Sequence, residues 1–149
     1  MAPRSLTAGL ALLVAAVALL ADPNSKGQAD NDEPQVVCLT EWGPQATGWY
    51  RSRPRECDLH ERGKTPVAHV NVWVTKQLRW LRWGPRSAVA KGKLGVSTVG
   101  LVPLKVRLTR PRELCGHTVF TRAHLDVRLT YDGKTRRSSH WIWLDTCLR

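Results

Sequence analysis

Carboxylates are scarce in this sequence. Twelve Asp and Glu stand against 23 Lys and Arg in 149 residues, for a formal net charge of +11. So few acids leave little material for the paired carboxylates that acid–base hydrolysis requires. The folded part holds Glu41, Glu56, Asp58, Glu61, Glu113, Asp126, Asp132 and Asp145, and most of these neighbour an Arg, as salt-linked surface groups do. Catalytic signatures are missing as well: there is no HExxH, no GxSxG and no phosphate-cradling glycine loop. No catalytic residue or cofactor is assigned. A small hydrolase would need the fold to cluster a carboxylate with one of His60, His69, His117, His124 and His140. No two cysteines have the short spacing of a zinc site, so no metal is expected.

Long apolar runs are absent after residue 21. The one run, Leu6 to Ala21, follows the positive Met1-Ala2-Pro3-Arg4 and is short for a bilayer span, so residues 1–29 are read as a secretory signal. An uncleaved anchor is the competing reading. Residues 30–34 close a stretch without large aliphatics and are read as a disordered lead-in, leaving 35–149 as one secreted domain, extracellular or bound to the cell wall, with no integral membrane segment. Losing residues 1–29 removes Arg4, Lys26 and Asp22, which leaves 21 basic against 11 acidic residues. Such a field favours polyanions: nucleic acid, anionic cell-wall polymers or acidic headgroups.

Convincing helical patterns are also lacking. Val36–Leu39 is a short apolar strand, and apolar residues alternate with period two in Ala68–Val74, Ala88–Val96 and Val102–Leu108, the mark of half-buried strands. Leu78-Arg79-Trp80-Leu81-Arg82-Trp83 is counted as a further strand, although its spacing also suits a helix too short to stand alone. Thr47 to Gly63, rich in Arg, Pro and Gly, reads as loop. The expected fold is all-β: an antiparallel sandwich or partly closed barrel of six to seven strands. Arg53-Pro54-Arg55-Glu56 echoes Arg110-Pro111-Arg112-Glu113, which marks two similar loop entries and no duplication.

The sharpest local signal is Asp132-Gly133, a type I′ hairpin turn. Two-residue closure there pairs Leu125 with His140 and Ala123 with Ile142 on a mostly apolar face, and His124 with Trp141 and Arg122 with Trp143 on the other. Cys115 and Cys147 then lie near the open end of that ladder. This favours Cys115–Cys147 with Cys38–Cys57 among the possible pairings, in an oxidising compartment.

Tryptophan is plentiful at seven residues. Trp42 and Trp73 are expected in the core. Trp141 and Trp143, opposite His124 and Arg122, form a candidate surface of flat rings framed by positive charge, suited to stacking on sugars or bases that carry anionic groups. Arg79, Trp80, Arg82 and Trp83 repeat the theme, with core tryptophans and outward arginines as the equal alternative. The leading function is therefore a non-enzymatic binding domain for anionic polymers or cell-envelope glycans. The alternative is a secreted protease inhibitor or other protein-interaction module presenting Arg51 to Lys64 around Cys57; a small hydrolase ranks third.

The run Leu78-Arg79-Trp80-Leu81-Arg82-Trp83-Gly84, Ala90-Lys91-Gly92, Val106-Arg107-Leu108-Thr109-Arg110-Pro111-Arg112, Cys115-Gly116 and Phe120-Thr121-Arg122 resembles a group of small secreted actinobacterial proteins of uncharacterised function. The shared pattern, W-x-x-W-G … A-x-G … V-x-L-x-R-P-R … F-T-R, is loose and covers roughly residues 78–125. The resemblance implies an extracellular, β-rich, disulfide-bearing domain and transfers no catalytic or binding residue.

Overall fold

Eight β-strands and no helix make up the described part of the chain, residues 33–41, 47–64, 72–144 and 147 of a computed structural model. They are β1 (Val36–Glu41), β2 (Thr47–Arg51), β3 (Cys57–His60), β4 (Val72–Trp83), β5 (Ser87–Val96), β6 (Gly100–Leu114), β7 (His117–Tyr131) and β8 (Lys134–Trp143). All belong to one antiparallel sheet, ordered β2-β1-β3-β4-β5-β6-β7-β8, that is not closed. The signal segment, Trp42 and the Ala68–Val70 part of the expected strand lie outside the described residues.

The strand count exceeds the six or seven expected because the stretch read as loop contains β2 and β3. β2 carries no apolar alternation, since it lies at the sheet edge with Trp49 59% exposed. β3 is only four residues long, yet Cys57, Leu59 and His60 are buried in it.

The sheet curls around a single apolar face. Ala88, Ala90, Val106, Leu108, Phe120, Ala123 and Leu125 are all essentially inaccessible there. Just past β3, Glu61 bridges Leu144 at the end of β8, and the Arg62 N–H donates to the Trp143 carbonyl at 2.7 Å. Gln35 reaches β7, donating to Thr118 O at 2.8 Å and accepting from the Phe120 N–H at 2.9 Å. Just before it, Pro34 is buried and Glu33 pairs with Arg53.

β4 explains the ambiguous LRWLRW run. Pairing with β5 slips between Lys76 and Arg79 and again between Trp80 and Arg82, one bulge in each interval. The bulges let Leu78, Trp80 and Trp83 all turn inward despite their uneven spacing, and leave Leu81 outside at 52% exposure. Gln77 takes the positive φ of 52° at the first bulge. Opposite it stands Gly92, where a Cβ would lie 2.8 Å from the Lys76 carbonyl oxygen. Small residues on β5 match large ones on β4: Ala90 pairs with Trp80 and Ala88 with Trp83.

Both disulfides pair as expected, Cys38–Cys57 joining β1 to β3 and Cys115–Cys147 holding the C-terminal end to the β6–β7 connection. Cys115 and Gly116 have φ of 53° and 77°, as Asp132 and Gly133 have 48° and 71°, so two type I′ turns bracket β7. The Arg-Pro-Arg-Glu echo extends to the backbone, with φ of 51° at Arg53 and 54° at Arg110.

Candidate functional site: a basic aromatic sheet face

The Asp132-Gly133 turn sets the register of β7 against β8, and Arg122–Trp143, His124–Trp141 and Leu125–His140 pair as the sequence indicates. Leu144 N–H donates to Thr121 O at 3.0 Å, which makes the Thr121–Leu144 pair hydrogen-bonded. By alternation, the outward pairs Arg122–Trp143, His124–Trp141, Asp126–Ser139 and Arg128–Arg137 are the non-hydrogen-bonded kind, whose side chains approach most closely.

Arg122 lies against both indoles, its Cζ 4.2 Å from the Trp141 ring centroid and 5.3 Å from that of Trp143. Arg110 adds a second cation 5.5 Å from the Trp143 ring. The Arg122 Nε is buried with no hydrogen-bond partner among the described residues. Leaving such a donor unpaired costs about 1–3 kcal/mol, and the half-exposed rings offset part of that through cation–π attraction of about 0.5–1 kcal/mol. Trp141 and Trp143 remain 49% and 45% exposed, so much of each ring still meets solvent. His124 lies 4.3 Å from the Trp141 ring, with Nε2 2.6 Å from Ser139 Oγ and Nδ1 3.6 Å from Asp126 Oδ2.

The face continues across the sheet. Arg107 pairs with His124, Lys105 with Asp126, Lys91 with both Lys105 and Arg79, and Lys93 with Lys76. Asp126 and Glu113 are the two carboxylates on β4–β8 among the described residues, and Glu113 lies away from this cluster, opposite Thr118 near the end of β6. Glu56 reaches in from the β2–β3 connection to accept a hydrogen bond from Lys76 at 2.8 Å, which raises the Lys76 pKa above its ordinary value. Between the Lys91–Lys105 row and the Arg128–Arg137 pair runs a groove of about 490 Å³.

Six of the eight sequence-derived binding residues share this face: Arg122, His124, Trp141 and Trp143 in direct contact, and Arg79 and Arg82 farther along on β4. Trp80 and Trp83 point the other way. They meet edge to face at 4.4 Å, pack against the core, and donate Nε1–H to Pro54 O at 2.7 Å and Pro34 O at 3.0 Å. Trp73 also packs against the core, with His140 5.1 Å away. Sequence reasoning passed over Lys91, Lys93, Lys105, Arg107, Arg128 and Arg137. Each holds the polar position of an alternating strand, and that was the available signal.

Fold and face together define a disulfide-bonded all-β protein with a cationic, aromatic outer sheet surface. Comparison with protein-family models, with curated proteins and with solved structures gives no match to the chain.

Proposed function

We propose that the protein is a secreted, non-enzymatic binding domain for anionic polymers of the cell envelope, its curled sheet a partly closed barrel that offers its outer face to the polymer. One observation carries this reading: like charges stand directly opposite one another at Lys76–Lys93, Arg79–Lys91, Lys91–Lys105 and Arg128–Arg137. Such pairs destabilise a sheet, and a polyanion laid across them reverses the sign of that interaction. The half-exposed Trp141 and Trp143 add flat apolar surface beside the charge. Two disulfides suit an extracellular setting, as does the resemblance to secreted actinobacterial proteins. Co-sedimentation of the oxidised protein with purified cell walls, across a salt series, tests it. Binding should fall steeply with salt, and Trp143→Ala should weaken it about tenfold, the size of a lost stacking contact. Salt-insensitive binding, or none at low salt, refutes the proposal.

A second reading, ester hydrolysis, has one observation in its favour: Ser139 Oγ, the His124 imidazole and Asp126 Oδ2 stand in sequence at 2.6 and 3.6 Å. In it, His124 takes the Ser139 proton as Oγ attacks the acyl carbon, and Asp126 steadies the imidazolium. That proton passes to the departing alkoxide as the ester C–O bond breaks, leaving an acyl-Ser139 that water hydrolyses. The second separation exceeds a hydrogen bond, which ranks this reading below the first. It requires cleavage of a p-nitrophenyl ester that Ser139→Ala abolishes.

A further inference from the structure

We propose that the groove between Lys91–Lys105 and Arg128–Arg137 is an oxyanion subsite. It receives a carboxylate or sulfate substituent of a glycan whose sugar ring rests on Trp141 and Trp143. This rests on the polymer-binding reading above and adds where the polymer's charge is held.

Four cations line the groove against Asp126 alone. Asp126 stands opposite Lys105 in register with His124 Nδ1 3.6 Å away, and one carboxylate against four cations leaves the groove a positive balance. Arg128 and Arg137 are a non-hydrogen-bonded cross-strand pair, the closest approach a sheet offers, and no ion pair to either occurs among the described residues. An oxyanion between two guanidinium groups accepts hydrogen bonds from both and removes their repulsion. Ser139 places a hydroxyl at the same groove. Leu104 and Val127 also border it, with their side chains buried in the core.

Register adds a length requirement. Arg137 and Trp141 lie four residues apart on β8, about 14 Å at ~3.4 Å per residue. A single sugar cannot touch both, so affinity should climb with chain length until the ligand spans them. A glycan is favoured over nucleic acid because two disulfides place the domain where extracellular polymers are the available polyanions.

The test uses the oxidised full chain with dextran sulfate, polygalacturonate, neutral dextran and a single-stranded oligodeoxynucleotide, each titrated across a salt series. Three variants are compared: Arg128→Ser with Arg137→Ser, Trp141→Ala with Trp143→Ala, and Lys134→Ser with Arg136→Ser, which removes the same charge outside the groove. The groove variant should lose about tenfold or more in affinity for an acidic glycan. Its slope of log affinity against log salt should fall by about two, roughly one per lost contact. The Trp variant should lose affinity with its slope unchanged, and the Lys134/Arg136 control should keep most of both. Whichever acidic glycan loses more to the groove variant identifies the substituent. Equal losses in groove variant and control, or tighter binding of the oligodeoxynucleotide than of either glycan, overturn the subsite while leaving polymer binding intact. If the wild-type chain binds no polymer at low salt, the underlying reading falls and the subsite with it.

Discussion

Gly92 and Gly95 lie three residues apart on β5, and replacing each by Ala should move stability in opposite directions. A methyl group at Gly92 would sit 2.8 Å from both Leu78 Cδ2 and the Lys76 carbonyl oxygen, and 3.2 Å from Leu78 Cα. The Leu78 side chain can rotate away. The carbonyl and Cα cannot, because they belong to the bulge that turns Leu78 inward and Arg79 outward. Overpacking against backbone costs about 1–3 kcal/mol. Lower entropy of the unfolded chain returns about 0.4–1 kcal/mol, for a net loss of about 1–2 kcal/mol. At Gly95 the added carbon meets the Val74 side chain at 3.6 Å, an ordinary contact, so the entropic gain stands unopposed. The two variants should differ by about 2 kcal/mol, which for a domain of this size is roughly 8 °C in Tm. Equilibrium urea unfolding of the oxidised protein measures this. A Gly92→Ala midpoint at or above wild type would refute the reasoning.

Removing the disulfides tests the cross-links. Cys115 and Cys147 are 32 residues apart in sequence against 19 for Cys38 and Cys57. In the chain-entropy model, replacing the first pair by Ser costs about 4 kcal/mol and the second about 3 kcal/mol. Guanidinium unfolding should rank them so, and the reverse order would show that native-state packing outweighs loop length. The Lys76–Glu56 pair supplies a pH test. A lysine whose pKa is raised on folding contributes stability fully below 10.5, and loses it as pH rises through the folded value. Both groups are well exposed, so the term is below about 1 kcal/mol. Glu56→Gln should lower Tm slightly at pH 9 and converge with wild type in strong alkali.

What could be read in the sequence was whatever local chemistry determines. Asp132-Gly133 admits one tight turn, and from it followed the pairing of Arg122 with Trp143 and the proximity of Cys115 to Cys147. The β5 and β6 strands showed in their alternation. β2 did not, because an exposed edge strand has no buried face to write a pattern. The inward turn of Trp80 and Trp83 stayed undecided because it depends on two bulges, and a bulge is an agreement between neighbouring strands that neither sequence carries alone. The breadth of the cationic face was hidden for a related reason. Lys91, Lys105 and Asp126 fall in one row only because the β5–β6 and β6–β7 connections fix the lateral alignment, and the Cys115-Gly116 turn carries no signal as plain as Asp132-Gly133.

The order of strands also governs how the chain comes into being. From β3 onward each strand finds its neighbour in the segment made next, so those six of the eight strands can zip up as the chain is made. Gln35, just ahead of β1, has no such near partner. Gln35 bonds to the backbone of Thr118 and Phe120, and its side chain meets His117, 82 residues later. At synthesis rates of about 5–20 residues per second, Gln35 waits roughly 4–16 s for them. Throughout that interval β1 can already be paired with β2 and β3, while the Gln35 contacts that tie it to β7 stay unmade.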